Sequence, residues 1–306
     1  MLLRERIVWS LVVVICLTYV LNRYRPVTAG DKEFEWNRLW IFKTHSTNKY
    51  DCIVAGDSRV YRGISASAIE KELEGLSVFN FGYSSGSFSS FMLDQIENRL
   101  DLNSKRPIVL LGVTPYSLTE KAMEDEHFRE QLAKKKEEIL EYLYFEPLKR
   151  FFHPYSIQEL YEARKTADSG GTVYHQESFY RQGWVASWKI PPDPKAALPG
   201  YVKDFASNRV SPVAIDTLVD RVGRWTRNGI EVYGFRPPTT VEMVQLENNL
   251  SGFQESLFVQ RFQDAGGRWI DLDISEYQSY DGSHLAKSSA IKVSERIGKH
   301  ISGREP

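Results

Sequence analysis

The sequence predicts an α/β domain built on a parallel sheet, and three observations predict it. Short apolar strands alternate with segments of helical length, which is the pattern of βαβ units. The run 107–113 (PIVLLGV) is apolar without a break, as a strand buried on both faces requires. The closing stretch from about Ala286 sets Ala290, Val293, Ile297 and Ile301 on one helical face, which fits a helix laid on a sheet.

Taken in order, residues 51–55 read as a short strand ending in Gly56-Asp57-Ser58, followed by a helical stretch over 65–76. Residues 77–81 read as a second strand, followed by a Gly/Ser loop and a helix over about 89–100. Strand 107–113 comes third, and at Pro115 the rhythm stops. Ser117 and Glu120 fit a capping box opening a highly charged helix to about Tyr144. From there to about Asn208 no sheet rhythm is visible; Gly170-Gly171 and prolines 191, 192, 194 and 199 punctuate the stretch, with Tyr180, Trp184 and Trp188 between. Residues 119–208 therefore read as an inserted helical, aromatic-rich subdomain or lid. The alternation resumes with a helix over 212–227, a strand over 230–235, a helical segment to about Ala265 and a strand over 269–272.

The N-terminus points to a membrane. Arg4 and Arg6 precede an uncharged, mostly apolar run over 7–21, closed by Asn22, Arg23, Tyr24 and Arg25. Its 15 residues span ~23 Å as a helix against a hydrocarbon core of ~30 Å, and flanking Arg, Trp9, Tyr19 and Tyr24 cover the shortfall. Val27-Thr28-Ala29 resembles a signal cleavage site, but two arginines between it and the apolar run argue against cleavage. Residues 1–25 thus read as a single-pass anchor and 26–50 as a stalk or cover segment. The domain beyond would be periplasmic or otherwise extracytoplasmic.

Composition is ordinary for a globular chain of 306 residues, 42% hydrophobic and 26% charged. The net charge of -1, from 39 basic and 40 acidic residues mixed along the chain, argues against a nucleic-acid partner. Cys16 and Cys52 lie in the apolar run and in a buried strand, so an internal disulfide is not expected. Asp271, Asp273, Asp281 and His284 match no metal-ligand spacing, and neither metal nor cofactor is expected.

The chemistry-bearing residues sit at strand ends. Ser58 follows the first strand, and Asp281-Gly282-Ser283-His284 lies between the last strand and the last helix. In an open α/β sheet both loops emerge on one edge, so a hydroxyl, a base and an acid can meet there. Singly, Ser58 reads as a helix cap and Asp281-Gly282 as a turn.

Together four blocks resemble the SGNH (GDSL-like) hydrolases. These are Gly56-Asp57-Ser58; Phe79-Asn80-Phe81-Gly82 with Ser85-Gly86; Leu111-Gly112-Val113-Thr114; and Asp281-x-x-His284. The resemblance covers residues 51–115 and 211–301, and it implies a three-layer flavodoxin-like fold of about five parallel strands over 51–118 and 209–306. It implies Ser58 as nucleophile, His284 as base and Asp281 as its orienting acid. The oxyanion donors would be the backbone of Ser58 and Gly86, with Thr114 where the family has asparagine. Gly82, Arg59, Trp184 and Trp188 are weaker substrate-binding candidates; exposure for Arg59 and packing for the tryptophans are the competing readings. The anchor makes the chain similar in architecture to membrane-tethered O-acyltransferases of cell-envelope polysaccharides. The expected partners are an acyl ester donor, a glycan acceptor, the lipid bilayer through residues 7–21, and envelope biosynthesis or export proteins. A non-catalytic SGNH-like glycan-binding or scaffold module is the alternative.

Overall fold

The computed structural model of the chain describes residues 3–23, 29–124, 127–152, 161 and 174–304. Gly170-Gly171, and Tyr24, Arg25, Val27 and Thr28 after the apolar run, lie outside them. The chain divides into two compact units, residues 1–46 with 129–172 and residues 47–128 with 173–306.

The second unit holds the sheet. Its strands are β1 (Cys52–Gly56), β2 (Val78–Asn80), β3 (Ile108–Gly112), a separate hairpin of β4 (Tyr174–Phe179) and β5 (Val185–Ile190), then β6 (Glu231–Phe235) and β7 (Arg268–Ile270). The five-stranded sheet runs β2-β1-β3-β6-β7 and is parallel throughout, with Cys52 beside both Val78 and Ile108, Ile108 beside Glu231, and Tyr233 beside Arg268. Counting sheet strands alone, the order is 2-1-3-4-5, the flavodoxin-like arrangement, whose direction of winding reverses between β1 and β3.

Every residue of β1 and β3 is buried. Side chains alternate across a strand, so Cys52, Val54, Ile108 and Leu110 pack on one face with Ile69, Ala290, Val293 and Ile297, while Ile53 and Val109 point to the other. The first face is covered by helices Ala66–Glu72 and Lys287–Ile301, which pack on each other. Helices Ser90–Glu97, Pro212–Arg227 and Glu255–Asp264 form the other layer. Burying a residue such as Ile297 contributes about 2 kcal/mol before chain entropy is counted.

Local chemistry moves several boundaries from their expected places. Ser117 does not cap a long helix: its Oγ donates to the Thr114 carbonyl, and Thr119 is the cap, accepting from the Ala122 N–H at 3.3 Å. The expected helix to Tyr144 is broken into Glu120–Met123, His127–Leu132, Lys136–Leu140 and a π turn over Glu141–Phe145 that leads into Glu146–Phe152. The helical segment before β7 is split into Val241–Leu250 and Glu255–Asp264 around Gly252, at φ 76°.

The stretch 119–208 is not one helical insertion. Residues 129–172 belong to the first unit, and 173–208 group with the sheet. The β4–β5 hairpin pairs Tyr174 with Ile190 and Phe179 with Val185. Trp184 and Ala186 enter the core cluster of the sheet face. Its polar alternation (HQESF, VASWKI) marks a half-exposed ribbon, a weaker signal than the apolar runs of β1 and β3.

In the first unit, Leu3–Arg23 is one helix, and its side chains from Ile7 to Leu21 are largely exposed. No helix among the described residues is long and apolar enough to cross a membrane. The expected stalk contains a helix over Ala29–His45, where Trp36 and Trp40 stack one turn apart at 5.4 Å.

Candidate active site

Ser58 opens the six-residue helix Ser58–Gly63 directly after β1, at the sheet edge where the winding reverses. Asp57 caps that helix: its Oδ1 accepts from the Arg59 N–H at 2.9 Å, a contact type that stabilises by about 1 kcal/mol. The turn is tight because its floor lacks side chains. A Cβ on Gly56 would lie 2.4 Å from Val60 Cγ2, and one on Gly112 would lie 2.3 Å from the same methyl. Two glycines on neighbouring strands let Val60 drop onto the strand ends, and this lifts Ser58 to a half-exposed position.

The second half of the site is the loop after β7. His284 Nε2 lies 2.9 Å from Ser58 Oγ, and His284 Nδ1 lies 2.8 Å from Asp281 Oδ2. Asp281 Oδ1 accepts from the N–H groups of Ser283 and His284 at 2.8 and 2.7 Å, so one carboxylate shapes the turn and orients the ring. Burial works to raise the Asp281 carboxyl. The His284 ring and those backbone donors outweigh it and hold the group at about 2. The ring's outer face is stacked by Tyr280, with centroids 6.0 Å apart and planes at 20°.

This loop is bolted down by distant segments. Gly282 has φ 95°, and a Cβ there would lie 2.2 Å from the Pro194 carbonyl oxygen. The Ala197 N–H donates to the Asp281 carbonyl and the Asp193 N–H to that of Tyr280, both at 2.9 Å. Thr240 donates from its N–H and its hydroxyl to the Gly282 carbonyl at 3.4 and 3.3 Å.

The structure thus brings Ser58, Asp281 and His284 together, and it places the other expected site residues differently. Thr114 is fully buried and its hydroxyl donates to Asp57 Oδ2 at 2.5 Å, while accepting from the Ser117 N–H at 3.1 Å. The hydroxyl proton is therefore committed to a carboxylate and not offered to an oxyanion. The Gly86 N–H donates to the Tyr83 carbonyl at 3.0 Å, and a Cβ on Gly86 would lie 2.6 Å from the Gly56 carbonyl oxygen, so close backbone approach explains this glycine. The Gly82 N–H is taken by Asn80 Oδ1 at 2.9 Å. Trp184 is buried, donates to the Arg62 carbonyl at 2.9 Å and stacks on Tyr180, so it is core. Trp188 is half-buried, with the Lys287 ammonium 5.5 Å from its ring centre.

Arg59 is 2% exposed and cannot meet a substrate in this arrangement. Its Nη2 pairs with Glu247 at 2.6 Å and its Nε donates to Ser283 Oγ at 3.0 Å. Glu247 and Ser283 were not singled out from sequence, nor was Tyr201, whose hydroxyl lies 2.8 Å from Ser283 Oγ. Asp57 matched the nucleophile block, but its hold on Thr114 had no signal there. Burial raises the Asp57 carboxyl from its usual range, although Arg59 and the Thr114 hydroxyl pull it down.

No protein-family model matches the chain, and no curated protein matches it. Among solved structures it is similar to a candidate platelet activating factor from Streptococcus pneumonia. That match has 10% identity and a TM-score of 0.38, covering 94% of this chain and 98% of the other. It is also similar to a lipase/acylhydrolase from Enterococcus faecalis, at 10% identity and a TM-score of 0.39, covering 83% and 96%. The fold stands on the strand order, and the chemistry on the distances above.

Proposed function

We propose that the chain is a serine esterase or acyltransferase working through an acyl-Ser58 intermediate. The observation that supports this most is the continuous relay Asp281 Oδ2–His284–Ser58 Oγ, with links of 2.8 and 2.9 Å at a half-exposed strand end. His284 takes the Ser58 proton as Oγ attacks an ester carbonyl, then passes it to the departing alcohol oxygen. Water or a second hydroxyl, deprotonated by the same ring, attacks the acyl-serine carbonyl, and the proton returns to Ser58. Asp281, ionised down to about pH 2, fixes the tautomer and supports the imidazolium. The oxyanion donor in this reading is the Ser58 N–H at the first position of its helix.

A fluorophosphonate should label Ser58, and Ser58→Ala should lower hydrolysis of a small acetyl ester at least about 10³-fold without unfolding the protein. Unchanged hydrolysis in Ser58→Ala would sink the reading. The alternative, a non-catalytic glycan-binding or scaffold module of the same fold, draws support from one observation: Thr114, Gly86 and Gly82 all spend their donors internally. Absence of labelling would favour it.

The finer reading is a membrane-tethered enzyme that moves acetyl groups onto an envelope glycan. Its support is the exposed apolar surface of helix Leu3–Arg23, with Arg4, Arg6 and Arg23 at the ends. The full chain should co-sediment with phospholipid vesicles, and an acetylated oligosaccharide should form when acceptor is added. Hydrolysis without transfer would leave an esterase.

A further inference from the structure

The proposed chemistry makes no use of the charge buried directly behind the nucleophile. Arg59 follows Ser58 in the chain, and its guanidinium lies almost wholly out of solvent with its centre 5.0 Å from the Tyr201 ring centre. Burial of a cation is costly unless it is paired and hydrogen-bonded. Here Glu247, fully buried, supplies the pair, and Glu247 Oε2 is held in turn by Arg236 Nη2 at 2.8 Å. The fork then spends its Nε on Ser283, the residue between Gly282 and His284 in the acid–base loop. Ser283 in turn donates its own N–H to Asp281. Nη1 is buried with no hydrogen-bond partner among the described residues. A packing role alone calls for an apolar side chain, which would avoid both the pairing requirement and an unmet donor. The feature an apolar residue cannot supply is a rigid planar link between two places at once.

We propose that Arg59 is a positioning residue that sets the Ser58–His284 distance, with Glu247 as its fixed counter-charge. One end of the link is covalent, since Arg59 lies one peptide bond from Ser58. The other end reaches the loop that carries the base. Helix Val241–Leu250 is the common support: it carries Glu247, and Thr240, its N-terminal cap, holds the Gly282 carbonyl. Nucleophile and base, contributed by opposite ends of the sequence, are thereby referred to one helix. This rests on the esterase reading of the site.

The test compares wild type, Arg59→Lys, Arg59→Met, Ser283→Ala and Glu247→Gln in the full chain. The readouts are kcat and KM on a small acetyl ester, fluorophosphonate labelling rate and melting temperature. Displacement of reacting groups by about 1 Å costs about 10²-fold. Arg59→Met should therefore lower kcat and the labelling rate about 10²-fold, with KM within about threefold. Arg59→Lys keeps the charge for Glu247 but has no planar fork, so its melting temperature should stay near wild type while kcat remains low. Ser283→Ala leaves the Arg59–Glu247 pair intact and removes the link, together with the contact of the Tyr201 hydroxyl to the same Oγ, and kcat should fall about tenfold. This variant keeps the test decisive where Arg59→Met or Glu247→Gln fails to fold. Melting temperatures that fall while kcat per labelled molecule stays at the wild-type value in Arg59→Lys and Ser283→Ala would overturn the positioning role and leave a structural one. Wild type that neither labels nor hydrolyses would overturn the esterase reading, and this inference with it.

Discussion

Ser58 is placed mainly by its immediate chain neighbours, with Gly112 of the adjacent strand beneath Val60, whereas the loop of His284 is braced mainly by residues far away in sequence. Asp57 caps the helix that Ser58 opens, and Val60, two residues on, seats it over Gly56 and Gly112. The turn of His284 has a local element in Asp281, but its position depends on Pro194, Ala197, Thr240 and, through Ser283, on Tyr201. A locally encoded half and a remotely supported half should fail in different ways. Damage to the first should threaten the sheet, since its parts are the central strands. Damage to the second should separate activity from stability.

The largest effect is expected where the local half is overfilled. Gly56→Ala puts a Cβ 2.4 Å from Val60 and 2.5 Å from the Gly112 carbonyl oxygen, between two central strands. A loss of about 3 kcal/mol is expected by urea denaturation, and stability equal to wild type would refute the close-packing account. Gly282→Ala strains a left-handed residue against Pro194 in the remote half. It should cost about 2 kcal/mol and, unlike Gly56→Ala, lower kcat per folded molecule about 10²-fold.

Asp281 sharpens the comparison through pH. Its folded carboxyl at about 2 lies below the ordinary 3.8, so its contribution is present above the unfolded value and disappears as pH falls through the folded one. About 2 kcal/mol should be lost between about pH 4 and pH 2. Asp281→Asn should flatten that part of the stability curve, and a curve identical to wild type would refute the assignment. The smallest effect belongs to Thr114→Val, which leaves Asp57 Oδ2 without its hydroxyl donor. A cost of about 1 kcal/mol is expected at pH 7 with kcat per folded molecule unchanged. Losing the donor raises the Asp57 carboxyl further, so the cost should shrink in acid as that group protonates. A drop in kcat at constant melting temperature would restore Thr114 to the oxyanion.

The same division explains what was legible in the sequence. The apolar runs of β1 and β3 and the facing residues of helix Lys287–Ile301 announced the sheet, because burial on two faces or one stripe imposes a period on the chain. Ser58, Asp281 and His284 were legible because each sits at a strand end in a short block. The donors around them were not. Whether Thr114 faces an oxyanion or Asp57 depends on the packing of neighbouring strand ends, and no spacing records it. Arg59 read as either exposed or substrate-binding because its partner Glu247 lies in a helix of ordinary polar composition. The β4–β5 hairpin leaves no such mark in the sequence, because a half-wet ribbon lacks the apolar density of a core strand.

That hairpin is tied in at several points. Arg62 Nη1 donates to Glu177 and Ser187 within it and to the hydroxyl of Tyr280, while the Trp184 indole reaches back to the Arg62 carbonyl. The segment after it carries Asp193, Pro194 and Ala197 to the loop of His284. Such a segment is not an interchangeable cassette. Loop-swapping between related scaffolds, a common route to altered selectivity, would here remove the brace of the His284 loop together with the insert. A chimaera that replaced residues 174–201 would have to import a matching 279–285 turn as well, so any divergence of the two segments has to be concerted.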